Sequence, residues 1–123
     1  MGTPFKILSV DNEPSIMTSL KYVFAAPRFE VLSVDSGTAA LERLESAKDP
    51  YDLIIVDQKM PNLTGVELVD EIRKRGIPGE IIVISAHVSS EDRAAYERMQ
   101  VRTILPKPFD LMALRSAVEH LAA

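Results

Sequence analysis

Leu53-Ile54-Ile55-Val56-Asp57-Gln58-Lys59-Met60-Pro61 decides the fold: four aliphatic residues in succession, then a carboxylate, then a turn. The run has no in-out alternation, so it reads as a strand buried on both faces, the condition of an inner strand in a parallel sheet. Similar short apolar runs stand at Ile7 to Val10, Phe29 to Val34, Ile81 to Ile84 and Thr103 to Leu105. Between them apolar residues take helical spacing. Ile16, Leu20, Val23 and Phe24 share one face, as do Leu41 with Leu44, Leu68 with Ile72, and Leu111 with Leu114, Val118 and Leu121. Five strands, each followed by a helix, predict a three-layer α/β domain in which right-handed crossovers cover a parallel five-stranded sheet. Local signals agree: Pro14 suits a first helical turn, Pro27 follows the end of that helix, Ser36-Gly37-Thr38 starts a helix, Gly76-Ile77-Pro78-Gly79 makes a turn and Asp110 is an N-cap.

A chain of 123 residues suits one core, and residues 1–123 are expected to form one domain with no second one. With 14 Lys and Arg against 18 Asp and Glu, the net charge of -4 argues against a nucleic-acid footprint or an anionic-membrane patch. The absence of cysteine excludes disulfides and thiolate metal sites. No apolar run approaches the ~20 residues a membrane span needs. Met1-Gly2-Thr3-Pro4-Phe5-Lys6 lacks the apolar core of a signal peptide, so a cytoplasmic protein is expected. Met17, Met60, Met99 and Met112 read as core or interface filling, Arg73-Lys74-Arg75 as a solvated basic helix end, and His120 as a helix-surface residue.

Ligands of an open parallel sheet bind beyond the carboxyl ends of its strands. Asp11-Asn12-Glu13, Asp57-Gln58-Lys59, Ser85-Ala86-His87 and Lys107-Pro108 follow the first, third, fourth and fifth runs, whereas the second is followed only by the turn Asp35-Ser36-Gly37. A carboxylate ending a buried strand needs its charge compensated, and Asp11 in the same rim adds repulsion to Asp57. A divalent cation turns that repulsion into joint ligation, and hard oxygen donors favour Mg²⁺. A carboxylate can also attack phosphorus to give an acyl phosphate, provided the three equatorial oxygens are stabilised. Asp57 reads as that nucleophile, with Mg²⁺, the Lys107 ammonium, and the Ser85 hydroxyl with a neighbouring N–H each taking one oxygen. Glu13 reads as a helix-start residue suited to the positive end of the helix dipole.

Lys6-Ile7-Leu8-Ser9-Val10-Asp11, Asp57-Gln58-Lys59-Met60-Pro61 with Gly65, Ser85-Ala86 and Pro106-Lys107-Pro108-Phe109, in this order, resemble the receiver domain of bacterial two-component response regulators over essentially the whole chain. The resemblance implies a flavodoxin-like (βα)5 fold with sheet order 2-1-3-4-5, as in the chemotaxis receiver. It further implies that Asp57 is the phosphoacceptor, that Asp11 and the Asn12 position bind metal together with Asp57 and the Lys59 main-chain carbonyl, and that Mg²⁺ is the cofactor. Ser85 is then the hydroxyl that moves toward the phosphoryl group, and Lys107 pairs with it, in a Lys107–Pro108 peptide that is usually cis. The partners implied are a sensor histidine kinase or histidine phosphotransfer protein, with an output domain or a homodimer formed through helix 4, strand 5 and helix 5. Neither nucleic acid nor membrane is a direct partner. The domain is a switch rather than an enzyme, with only self-phosphorylation and slow autodephosphorylation expected.

Asn12 and Ile104 depart from the pattern. Asn12 replaces the second Asp of the metal pair. A carboxylate and a dication about 4 Å apart attract by roughly 8 kcal/mol at an effective dielectric of ~20, before desolvation. Losing that charge predicts weak Mg²⁺ binding, with Glu13 a partial rescue. Ile104 stands where the family carries an aromatic that swings inward, and an aliphatic side chain has no such rotamer switch. Lys59 and His87 occupy positions that resemble those tuning phosphoryl lifetime. A pseudo-receiver, an interaction module with little phosphorylation, is the alternative left open by these departures. A flavin or nucleotide binder is disfavoured because the first loop is acidic and lacks Gly-x-Gly, and a phosphohydrolase because Lys59 replaces its second acidic residue.

Overall fold

The computed structural model describes residues 3–60, 63–107 and 110–122. Strands and helices alternate: β1 (Phe5–Val10), α1 (Pro14–Val23), β2 (Phe29–Val34), α2 (Gly37–Ser46), β3 (Leu53–Asp57), α3 (Gly65–Lys74), β4 (Glu80–Ser85), α4 (Ser90–Arg98), β5 (Thr103–Pro106) and α5 (Leu111–Ala122). All strand pairs are parallel and the order is β2-β1-β3-β4-β5, as the family resemblance implies. β3 lies at the centre, with Ile54 opposite Leu8 on one side and Ile81 on the other.

Successive strand side chains point to opposite faces, and each face has its own core. Ile7, Leu53, Ile55, Ile82 and Ile84 pack with Leu20 and Phe24 of α1 and its end, and with Leu114 and Val118 of α5. Leu8, Val10, Ile54, Val56, Ile81 and Val83 pack with α2 through Ala40, Leu41 and Leu44, with α3 through Leu68, Val69 and Ile72, and with Tyr96 of α4. Full burial of such an aliphatic side chain stabilises by about 1.5–3 kcal/mol, so the double-sided inner strands hold the layers together. The edges differ. β2 and β5 are mostly half-buried because each has a strand on one side only, and the helices cover them incompletely.

The helix starts bear out their signals. Pro14 is in the first turn of α1, Ser36 Oγ accepts the Ala39 N–H at 3.1 Å, and Asp110 Oδ1 accepts the Met112 N–H at 2.8 Å. Thr64 and Glu67 close a capping box on α3, and Gly76 adopts φ +66° in the turn after it. β1 and β4 begin earlier than their apolar cores, at Phe5 and Glu80.

Three expectations are corrected. Leu121 is 37 % exposed at the end of α5, and Met112 is exposed rather than filling a core. Arg73 is not part of a solvated end: its Nε donates to the Met99 carbonyl at 2.9 Å and ties α3 to the end of α4. Lys74 and Arg75 are as expected at the surface, paired with Asp70 and Glu71. The expected cis peptide at Lys107–Pro108 lies outside the described residues, as do Pro61 and Phe109 of the quoted motifs. No helix among the described residues is long and apolar enough to cross a membrane.

Candidate functional site

The strands deliver their polar ends to one rim. Asp57 is the last residue of β3, and the Gln58 N–H donates to the Ile84 carbonyl at 2.9 Å, which carries the strand pairing past the carboxylate. Asp11 follows β1, its N–H held by the Val34 carbonyl at 3.1 Å. Lys107 follows β5, with its N–H on the Ser85 carbonyl at 2.9 Å. Backbone pairing therefore fixes where each of these side chains originates on the rim.

Asp11 and Asp57 are each only 2 % exposed, and they are the only buried charged side chains among the described residues. Lys107 Nζ reaches Asp57 Oδ2 at 3.0 Å and Glu13 Oε1 at 3.3 Å. Oxygen atoms of Asp11, Glu13 and Asp57 lie within 4.8 Å of one another. Three carboxylates thus share one ammonium. Backbone donors compensate part of this charge: the Glu13 N–H on Asp11 Oδ1 at 2.8 Å and the Lys59 N–H on Asp57 Oδ1 at 3.2 Å.

Burial, the largest influence on Asp11, raises its pKa above the ordinary value; the Glu13 N–H opposes this and the Asp57 charge adds to it. Burial pulls the Lys107 ammonium down, but its hydrogen bond and attraction to Asp57, with Asp11 and Glu13, outweigh that and leave its pKa raised. The site therefore holds a committed cation beside carboxylates that repel one another. Cations stabilise such a cluster, and its all-oxygen donor set matches a hard divalent ion.

The remaining expected residues fall around this centre. Asn12 and Lys59 are exposed on the walls of the cleft formed with Glu13, Asp57, Met60 and Lys107. Ser85 is buried at the end of β4, but its Oγ donates to the His87 carbonyl at 2.7 Å and accepts the His87 N–H at 3.2 Å. The His87 side chain is exposed, and Ile104 is half-buried against the core beneath α2, α3 and α4. Glu13 stands at the helix start as expected, its backbone the N-cap of α1, while its side chain makes no cap bond and turns to Lys107. An electrostatic reading of the helix start could not see that a lysine 94 residues away would compete for that carboxylate. Gln58 follows Asp57 but turns away from the cleft to bond Asp92 and Tyr96 of α4, contacts outside the site whose available signal was a lone aromatic in the fourth helix and an amide directly after Asp57.

The family model described as "Response regulator receiver domain" matches residues 7–119. The chain is 35 % identical over 122 residues to the nitrate/nitrite response regulator protein NarL of Escherichia coli, covering 98 % of this chain and 56 % of that protein. It is 29 % identical over 116 residues to the alkaline phosphatase synthesis transcriptional regulatory protein PhoP of Bacillus subtilis, covering 94 % of this chain and 48 % of the relative. The chain spans about half the length of these two curated relatives. Among solved structures, the response regulator protein TrrA of Thermotoga maritima, in complex with Mg(2+)-BeF, superposes with a TM-score of 0.77 at 32 % identity, covering 94 % of this chain and 97 % of that one.

Proposed function

The chain belongs to the response regulator receiver domain family of two-component systems, and from that premise we propose that Asp57 accepts a phosphoryl group from a phosphohistidine of a sensor histidine kinase or phosphotransfer protein. The observation that carries this reading is the buried Asp57 carboxylate, 3.0 Å from the Lys107 ammonium and crowded by Asp11 and Glu13. One Asp57 oxygen bonds to phosphorus as the donor P–N bond breaks. The electron pair stays with the imidazole nitrogen, which takes up a proton, and Asp57 becomes an acyl phosphate.

Lys107 is already beside the attacking carboxylate and, with its pKa raised, is held as the cation that the transferred oxygens require. Ser85 gives up its bond to the His87 carbonyl to donate to a phosphoryl oxygen. Asp11, Glu13 and Asp57 offer the hard oxygen donors that suit Mg²⁺, with Asn12 and the Lys59 carbonyl beside them. Bound there, Mg²⁺ would neutralise charge on the phosphoryl oxygens. Glu13 supplies a third carboxylate where Asn12 lacks one, and Asn12→Asp is expected to tighten Mg²⁺ binding in a calorimetric titration. Slow hydrolysis of the acyl phosphate resets the switch in a cytoplasmic setting, and an output domain or a second copy reads it at α4, β5 and α5.

Incubation with acetyl phosphate and Mg²⁺, followed by intact mass measurement, tests this reading. A gain of ~80 Da, one HPO₃ unit, is expected in the parent chain and not in Asp57→Asn. No gain in the parent would make the domain a pseudo-receiver.

A further inference from the structure

Gln58 follows Asp57 directly, and its side chain leaves the rim for α4. Its Oε1 accepts the hydrogen bond of the Tyr96 hydroxyl, and its Nε2 donates to Asp92 Oδ2 at 3.1 Å. Tyr96 is 0 % exposed and is the only fully buried side chain of α4, a helix otherwise made of polar residues and two alanines. The two bonds therefore hold α4 to the loop after β3 at the point where the helix enters the core. Gly65, the first residue of α3, completes the junction: a Cβ there would stand 2.5 Å from the Tyr96 hydroxyl oxygen and 2.8 Å from Gln58 Oε1. The Gly65 N–H also donates to the Gln58 carbonyl at 2.9 Å. Gln58 is thus clamped on its main chain by α3 and β4 and on its side chain by α4.

We propose that Gln58 is the connector through which a change of state at Asp57 moves α4, the paired Tyr96 and Asp92 serving in place of the aromatic switch that Ile104 does not provide. This rests on the phosphoacceptor reading. Burial and the nearby Asp92 and Asp57 charges raise the Tyr96 pKa, so its hydroxyl remains a proton donor. A displaced Gln58 leaves that buried donor without a partner unless α4 follows. Packed elements of this kind respond by shifting between arrangements rather than by bending continuously.

The test is the amide NMR response of residues 90–98 to Mg²⁺ with beryllofluoride, in the parent, Tyr96→Phe and Asp92→Ala, with acetyl phosphate labelling of each variant by mass. Tyr96→Phe keeps the ring that fills the core, and Asp92→Ala removes the acceptor of Gln58 Nε2 at a half-buried position outside the core, so both are expected to fold and to label at Asp57 to the parent's extent. The connector predicts α4 shifts in the parent that fall at least about twofold in each variant, while the shifts of residues flanking Asp57 persist. Labelled variants whose α4 responds as in the parent overturn the connector and leave the phosphoacceptor reading standing. A parent that neither labels nor shifts overturns both.

Discussion

Two aspartates bracket β3 and show how differently one residue type is used at the two ends of one strand. Asp52, just before the strand, is exposed, and its Oδ2 accepts the Lys6 N–H at 2.8 Å. Asp57, the last residue of the strand, is buried with Asp11 nearby and one lysine between it and Glu13. At the amino end the carboxylate is exposed and bonded to the Lys6 N–H, so its charge carries little burial cost and it ties the start of β3 to β1. At the carboxyl end burial and like charge work against folding, a cost that the proposed phosphoacceptor chemistry accounts for.

The contrast breaks most visibly at Lys107. Lys107→Ala removes the cation from the acidic rim and is expected to slow acetyl phosphate labelling of Asp57 by about 10²–10³-fold, measured as the initial rate of mass gain. Equal rates would mean that the ion pair is structural only.

Gly65→Ala sharpens the contrast from the outside of the site. The added methyl meets the Tyr96 hydroxyl and Gln58, so a loss of about 1–3 kcal/mol in urea unfolding is expected.

Asp11→Asn tests the electrostatic half of the argument. Because burial raises the Asp11 pKa above 3.8, the folded chain keeps a proton there that the unfolded chain has lost. The stability this provides is complete below the unfolded value and is lost as pH rises through the folded one. At neutral pH Asp11→Asn is therefore expected to raise the metal-free melting temperature by a few degrees, to flatten its decline with pH over that window, and to reduce the gain in melting temperature on adding Mg²⁺.

The smallest effect belongs to the other end. Asp52→Ala is expected to cost about 0.5–1.5 kcal/mol by chemical denaturation and to leave labelling of Asp57 unchanged.

These two ends were not equally readable. Double-sided burial of β3 was plain in Leu53 to Val56, and the placement of Asp57, Asp11 and Lys107 followed from strand ends, because a parallel sheet gathers its carboxyl ends on one rim. Sheet order came from family resemblance, since apolar runs do not state which strand neighbours which. The direction of a flexible side chain was beyond reach: Glu13 turns to Lys107 rather than to its helix, and Ser85 bonds within its own loop. Gln58 was hidden for a related reason, because its partners are 34 and 38 residues away, on a helix whose weak apolar pattern hid the depth of Tyr96.

The most direct measurement of the central claim is peptide mapping of the chain after acetyl phosphate treatment, with Mg²⁺ and with the metal removed by EDTA. The account predicts one phosphorylated residue, Asp57, and loss of labelling when the metal is withdrawn. Labelling at another residue, or labelling of Asp57 that is indifferent to Mg²⁺, would contradict it.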